Sequence, residues 1–137
     1  MNINNLKIAI IGLGYVGLPL FVEFSKKFKT IGFDTNKKRI TDLISFKDSN
    51  KEFDLKKIPN NKKLLFAIKE EQLNDSNIYI ITVPTPVTKN NIPDFTFLKN
   101  ASKLVALKLN IKNIVIFEST VYPGALKKFV FLYLNDI

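Results

Sequence analysis

Three glycines, Gly12, Gly14 and Gly17, stand in G-x-G-x-x-G spacing, and an acid, Asp34, follows them further along the chain. Residue types in this pattern suit the gripping of a dinucleotide. A glycine at 12 permits a tight turn out of a strand, one at 14 lets a pyrophosphate approach the backbone, and one at 17 lets the next helix pack closely. N–H groups at the start of that helix, around Tyr15 and Val16, lack intrahelical acceptors and lie at the positive end of the helix dipole, which suits a phosphate. A carboxylate about 20 residues beyond the glycines completes the pattern, provided a strand precedes the glycines, a helix follows, and a second strand ends at the acid.

Two more places carry polar side chains where ligands collect. Thr85 lies between two prolines in V-P-T-P, and Glu118, Ser119 and Thr120 follow a second apolar run. Ligands of a doubly wound sheet sit at the C-terminal ends of its strands, which makes Thr85 a candidate contact. The alternative is that Pro84 and Pro86 merely end the strand. Arg39, shortly after Asp34, is placed by its spacing either against the adenosine or on the surface.

The elements needed to position these groups can be read from the chain. Lys7 to Ile11 is almost wholly apolar and short, as in a strand buried on both faces of a parallel sheet. Leu18, Phe21, Val22, Ser25 and Phe28 form one face of a helix, in which Pro19 is tolerated because it falls in the first turn. Thr30 to Phe33 is the second strand. Asn36 is an N-cap for a helix that buries Ile40, Leu43 and Ile44. Residues 47–63 are polar and predict an irregular connection with a short helix over 51–57. Leu64 to Ala67 reads as a short strand, Ile68 to Leu73 as a helical turn, and Asn77 to Val83 as a central strand. Asp94 caps a helix that turns Leu98, Ala101, Leu104, Val105 and Leu109 inward. Asn113 to Phe117 is the next strand, and the stretch after Gly124 predicts one more helix. These elements make an α/β fold, a Rossmann-like doubly wound parallel sheet of five or six strands with helices on both faces.

Composition narrows the chemistry. With 137 residues, 46% of them hydrophobic, the chain is sized for a single domain over 1–137. No apolar run reaches the ~20 residues of a membrane span. The N-terminus runs straight into the first strand, so no leader and a cytoplasmic location are expected. There is no cysteine and no histidine. A thiolate nucleophile is therefore excluded within this chain, and no metal site is expected. The net charge of +9 comes with only one arginine, Arg39, among 21 basic residues. Dispersed lysines of this kind describe a solvated surface better than a nucleic-acid stripe, so neither nucleic acid nor membrane is expected as a partner.

Taken in order, I-I-G-L-G-Y-V-G-L-P-L, G-F-D-x-N-x-x-R-I, I-T-V-P-T-P, I-P-D-F-T-F-L and E-S-T-V-Y-P-G resemble the N-terminal NAD-binding domain of the UDP-glucose/GDP-mannose dehydrogenase family. The wording E-S-T-V-Y-P-G is most like the UDP-N-acetylhexosamine 6-dehydrogenases of polysaccharide biosynthesis. The resemblance implies NAD as cofactor, with the backbone of Tyr15 and Val16 on the pyrophosphate and Asp34 on the adenosine ribose. It also implies Arg39 beside the adenosine, Thr85 near the cofactor, and Thr120 near the nicotinamide, assisting at the reacting centre. A carboxylate at Asp34 repels a 2′-phosphate, so NAD is expected over NADP.

Family members oxidise the C6 hydroxyl of a nucleotide sugar to a carboxylate through a covalent intermediate on a cysteine. The family's cysteine segment, dimerising central helix and sugar-binding domain lie beyond the residues present here. The resemblance thus implies a truncated chain, inactive alone, with the UDP-sugar and the homodimer belonging to a full-length enzyme. The alternative is a stand-alone NAD-binding or complementing module without catalysis.

Overall fold

The computed structural model describes residues 5–48, 51, 53–59 and 62–129. Five parallel strands form one sheet: β1 (Lys7–Ile11), β2 (Lys29–Phe33), β3 (Leu64–Ala67), β4 (Ile78–Ile81) and β5 (Ile114–Phe117), in spatial order β3-β2-β1-β4-β5. Strand β1 is central and pairs on both sides, and for this reason its sequence carries almost no polar residue. The first strand runs out one way through β2 and β3, and the chain then crosses back to lay β4 and β5 on the other side. The order therefore reverses beside β1, and crevices open at such a reversal.

Alternation along the strands divides the interior into two layers. Ile8, Ile10 and Ile80 face helices α1 (Gly17–Ser25) and α2 (Lys37–Ile44), packing with Leu18, Phe21, Val22, Ile40 and Leu43. Ala9, Ile11, Tyr79 and Ile81 face the other way, onto Leu98, Ala101 and Val105 of α3 (Thr96–Ala106). Each large apolar side chain removed from water here is worth ~1.5–3 kcal/mol. A short α4 (Ala125–Phe129) follows β5.

Several elements differ from expectation. The strands expected over 77–83 and 113–117 are observed as Ile78–Ile81 and Ile114–Phe117, with Asn77 and Thr82 at the ends of β4 still bonded through their N–H groups to the Lys7 and Ile11 carbonyls. In place of a helix over 51–57 there is a 3-10 turn at Leu55–Lys57, and residue 52 lies outside the described residues. Another 3-10 turn, Glu70–Leu73, occupies the expected helical turn. Helix α2 buries Arg39, Ile40 and Leu43, while Ile44, expected inside, is 45% exposed. Ile44 closes the last turn, where the chain already leaves the sheet, and Arg39 takes the place on the buried face. Asp94 lies one residue ahead of the N-cap position of α3; its carboxylate accepts the Thr96 N–H at 2.9 Å. The helix expected after Gly124 is described as far as Phe129, and residues 130–137 lie outside the described residues.

Candidate functional site: a cleft at the C-terminal edge of the sheet

An open cleft of about 860 Å³ runs along the C-terminal ends of β1, β2, β4 and β5. Its walls come from Gly12, Gly14, Tyr15 and Val16 after β1, Asp34 to Asn36 after β2, Thr82 to Pro86 after β4, and Glu118 to Thr120 after β5, with α3 closing one side. The three motif glycines differ in what surrounds them. Gly12 has φ +98°, in the left-handed region, and a Cβ there would lie 3.2 Å from the Val83 nitrogen. At Gly14 a Cβ would meet nothing within 4 Å, so this backbone is bare toward the cleft. At Gly17 a Cβ would collide with the Gly12 carbonyl oxygen and the Thr82 hydroxyl, because α1 is packed directly on the turn that precedes it.

Helix α1 starts without a side-chain cap: its N-cap position is Val16. The first backbone bond of the turn, from the Leu18 N–H to the Gly14 carbonyl at 3.0 Å, leaves the amides of Tyr15 and Val16 ahead of the helical ladder. An uncapped end opening on a cleft is a seat for an anion. Among the described residues, the ionisable ones along the walls are Tyr15, Asp34, Glu70 and Glu118, with no lysine or arginine, while Lys37 and Lys69 line the adjoining pocket that shares Asp34. A phosphate in this cleft would be held by main-chain amides and the helix dipole rather than by a cation.

Asp34 is fixed from two sides. One carboxylate oxygen accepts the Leu13 N–H at 2.9 Å, and the other accepts the Asn36 N–H at 2.9 Å. Each oxygen keeps further acceptor capacity, which a pair of vicinal hydroxyls can use. Across the cleft the loops after β4 and β5 are tied together. The Thr85 hydroxyl donates to the Thr120 carbonyl at 2.7 Å, and the Ser119 hydroxyl donates to the Val83 carbonyl at 2.6 Å.

Of the residues singled out from sequence, Gly12, Gly14, Tyr15, Val16, Asp34, Thr85 and Thr120 line this one cleft. Gly17 lies beneath it as the contact between helix and turn. Arg39 is neither on the surface nor among the lining residues. It is 5% exposed, bonded through Nε to the Leu13 carbonyl at 3.0 Å, and paired through Nη1 with Asp48. Two contributors were missed. Thr82 places its hydroxyl 2.7 Å from the Gly12 carbonyl and 3.1 Å from the Ile11 carbonyl, pinning the glycine turn to β4. Its signal was a lone polar residue inside the apolar run Ile80 to Val83. Ser119, noted only as part of a strand-end group, carries the second tie between loops.

Parallel strands, a glycine turn into an uncapped helix, and an acid at the end of β2 define a dinucleotide-binding domain of the Rossmann type. Residues 6–136 match the NAD binding domain of the UDP-glucose/GDP-mannose dehydrogenase family, and the chain belongs to that family.

Its relatives include the UDP-N-acetyl-D-glucosamine 6-dehydrogenase of Salmonella typhi, 50% identical over 122 residues, which cover 89% of this chain and 29% of that protein. The enzyme of the same name from Pseudomonas aeruginosa is 46% identical over 121 residues, covering 88% of this chain and 29% of that one. Among solved structures, a UDP-D-ManNAc dehydrogenase from Pyrococcus horikoshii superimposes with a TM-score of 0.83 at 32% identity, covering 95% of this chain and 32% of its own. The chain thus spans about 29% of the length of the curated relatives it matches. Among the described residues, no helix is long and apolar enough to cross a membrane, and no group of three potential metal ligands lies together.

Proposed function

We propose that the cleft takes NAD in one orientation, as a single NAD-binding domain over 1–137. In this reading the pyrophosphate lies over Gly14 and the amides of Tyr15 and Val16, with Gly12 and Gly17 shaping the turn. Asp34 accepts the adenosine ribose hydroxyls, and the nicotinamide end reaches Thr85 and Thr120. The observation that carries the reading is the meeting, in one cleft, of an uncapped helix start, a bare Gly14 and the Asp34 carboxylate. The fit to NAD rather than NADP rests on the Asp34 carboxylate itself, against which a 2′-phosphate would be set, with Glu70 also in the lining.

The likeness to UDP-N-acetyl-D-glucosamine 6-dehydrogenases supports a place in the oxidation of a UDP-sugar at C6, with Thr120 assisting beside the nicotinamide. That activity belongs to a protein with a thiolate to carry a covalent intermediate, and this sequence has no cysteine. Purified chain mixed with NAD and a UDP-sugar is therefore expected to produce no NADH. Steady NADH formation would show that the chemistry does not need the thiol. The same reading places the chain in the cytoplasm, where NAD is supplied.

Calorimetric titration tests the binding itself. The chain is expected to bind NAD more tightly than NADP. Asp34→Ala removes two charge-assisted ribose contacts, worth ~1.5–3 kcal/mol each before partial replacement by water. NAD affinity should fall at least tenfold, while NADP affinity, relieved of the repulsion at its 2′-phosphate, should hold or rise, so that the preference narrows. Equal affinity of the intact chain for both cofactors would contradict the role given to Asp34.

A further inference from the structure

Leu13 stands between two charged groups through its own main chain. Its N–H donates to Asp34 Oδ2 at 2.9 Å, and its carbonyl accepts Arg39 Nε at 3.0 Å. The other Asp34 oxygen is held by the start of α2, where position 39 takes part only through its main chain. The Asn36 N–H donates to Asp34 Oδ1 at 2.9 Å, and the Asn36 side-chain oxygen accepts the Arg39 N–H at 3.2 Å. Arg39 in turn pairs with Asp48, whose other oxygen accepts the Phe53 N–H at 2.9 Å. Both side chains of the pair are 5% exposed. Asp48 is not among the residues lining the cleft.

We propose that the Arg39–Asp48 pair positions Asp34. By fixing the Leu13 peptide through the Arg39 guanidinium, the pair holds the carboxylate in the orientation that the ribose meets, and so sets the preference for NAD over NADP. The inference rests on the assignment of Asp34 as the ribose ligand. Stability alone is a weak reason for such a pair, because desolvating two charges takes back much of what their attraction supplies. Orientation is a better one. A carboxylate already held by two backbone donors loses little freedom on binding, whereas a loose one must be ordered by the ligand. Asp48 thereby becomes a positioning residue for cofactor choice although it touches no cofactor.

The test uses Asp48→Asn, and the double replacement Arg39→Met with Asp48→Leu, which removes both charges and leaves apolar side chains in their place. NAD and NADP affinities are measured by calorimetry beside thermal unfolding. The expected result is a roughly tenfold loss of NAD affinity with NADP little changed, the size of one lost hydrogen bond to a charged group. The ratio of the two affinities is the decisive readout. Partial unfolding lowers both apparent affinities equally and leaves their ratio alone, so the measurement holds even for a destabilised variant. In an Asp34→Ala background the same replacements should leave the ratio unchanged, since the group they position is gone. A parental ratio in both variants, with the intact chain still preferring NAD, overturns this inference and spares the assignment of Asp34. An intact chain without preference overturns both.

Discussion

Alanine at each of the three motif glycines separates what the fold needs from what the ligand needs. At Gly17 the new methyl group would drive into the Gly12 carbonyl and the Thr82 hydroxyl. Neither can yield easily: one is backbone, and the other is bonded to the Ile11 and Gly12 carbonyls at 3.1 and 2.7 Å. Overpacking of this kind costs about 3 kcal/mol. At roughly 4 °C per kcal/mol for a chain of this size, the melting temperature should fall by about 12 °C. Gly12→Ala meets two smaller penalties, a φ of +98° and approaches of 3.2 Å to the Val83 nitrogen and 3.3 Å to the Thr82 carbonyl carbon. Its cost should be about 1–3 kcal/mol.

Gly14→Ala is the informative member. Its Cβ meets nothing within 4 Å and its φ is not in the left-handed region, so the folded state admits it freely. Reduced freedom of the unfolded chain should then make the variant equal to the parent or more stable by about 0.5 kcal/mol. The methyl group nevertheless occupies the surface against which the pyrophosphate is read to lie, so NAD affinity should drop at least tenfold. Thermal unfolding and calorimetric titration on the same samples check both halves. A Gly14→Ala chain that binds NAD like the parent would refute this placement of the pyrophosphate. One that melts as low as Gly17→Ala would refute the open space at that position.

Thr82→Val keeps shape and removes the hydroxyl that pins the glycine turn; it should cost ~1–2 kcal/mol and weaken NAD several-fold, while Thr82→Ser should retain both. Identical unfolding curves for the Val and Ser variants would show that the hydroxyl does not matter. Tyr79 shares its O–H between the Leu73 and Lys108 carbonyls, at 3.2 and 3.1 Å, and burial, its largest influence, raises the phenol above its ordinary 10.0. Its stabilising effect is then complete below pH 10 and declines as pH rises toward the folded value; Tyr79→Phe should lose about 1 kcal/mol at neutral pH, and its stability should no longer carry this alkaline decline. Asp94 is held below its ordinary 3.8, chiefly by hydrogen bonding to Thr96, so its support of the α3 start is present above that pH and lost as pH falls through the lowered value. Asp94→Ala should flatten that acid limb in urea titrations across pH 2 to 5, and an unchanged limb would dismiss the contribution.

The sheet and the cleft were legible to different depths. Strand β1 was readable to the residue because a central parallel strand buries both faces and leaves no ambiguity of period. The glycine turn, α1 and Asp34 were readable because spacing alone constrains them. Arg39 was not, since spacing locates a residue along α2 but says nothing of where a long side chain ends. Its partner Asp48 lies in a polar stretch whose path no periodicity reveals. Ile44 was misjudged because a helical pattern persists in sequence after the helix has left the sheet. The ties made by Thr85 and Ser119 join residues about 35 positions apart, and only the order of the strands brings them together.

The proposed phosphate seat, made of main-chain amides, has a consequence for how this surface tolerates change. Tyr15 is 71% exposed, and what its position contributes to the seat is a peptide group common to nearly every amino acid. Substitution at 15 or 16 can alter the colour of the cleft wall and leave the grip intact, whereas at 12 and 17 even one added carbon redirects the chain. In that reading the pyrophosphate itself is held by groups that neither titrate nor oxidise, and the one ionisable side chain in contact with the cofactor is Asp34 at the ribose.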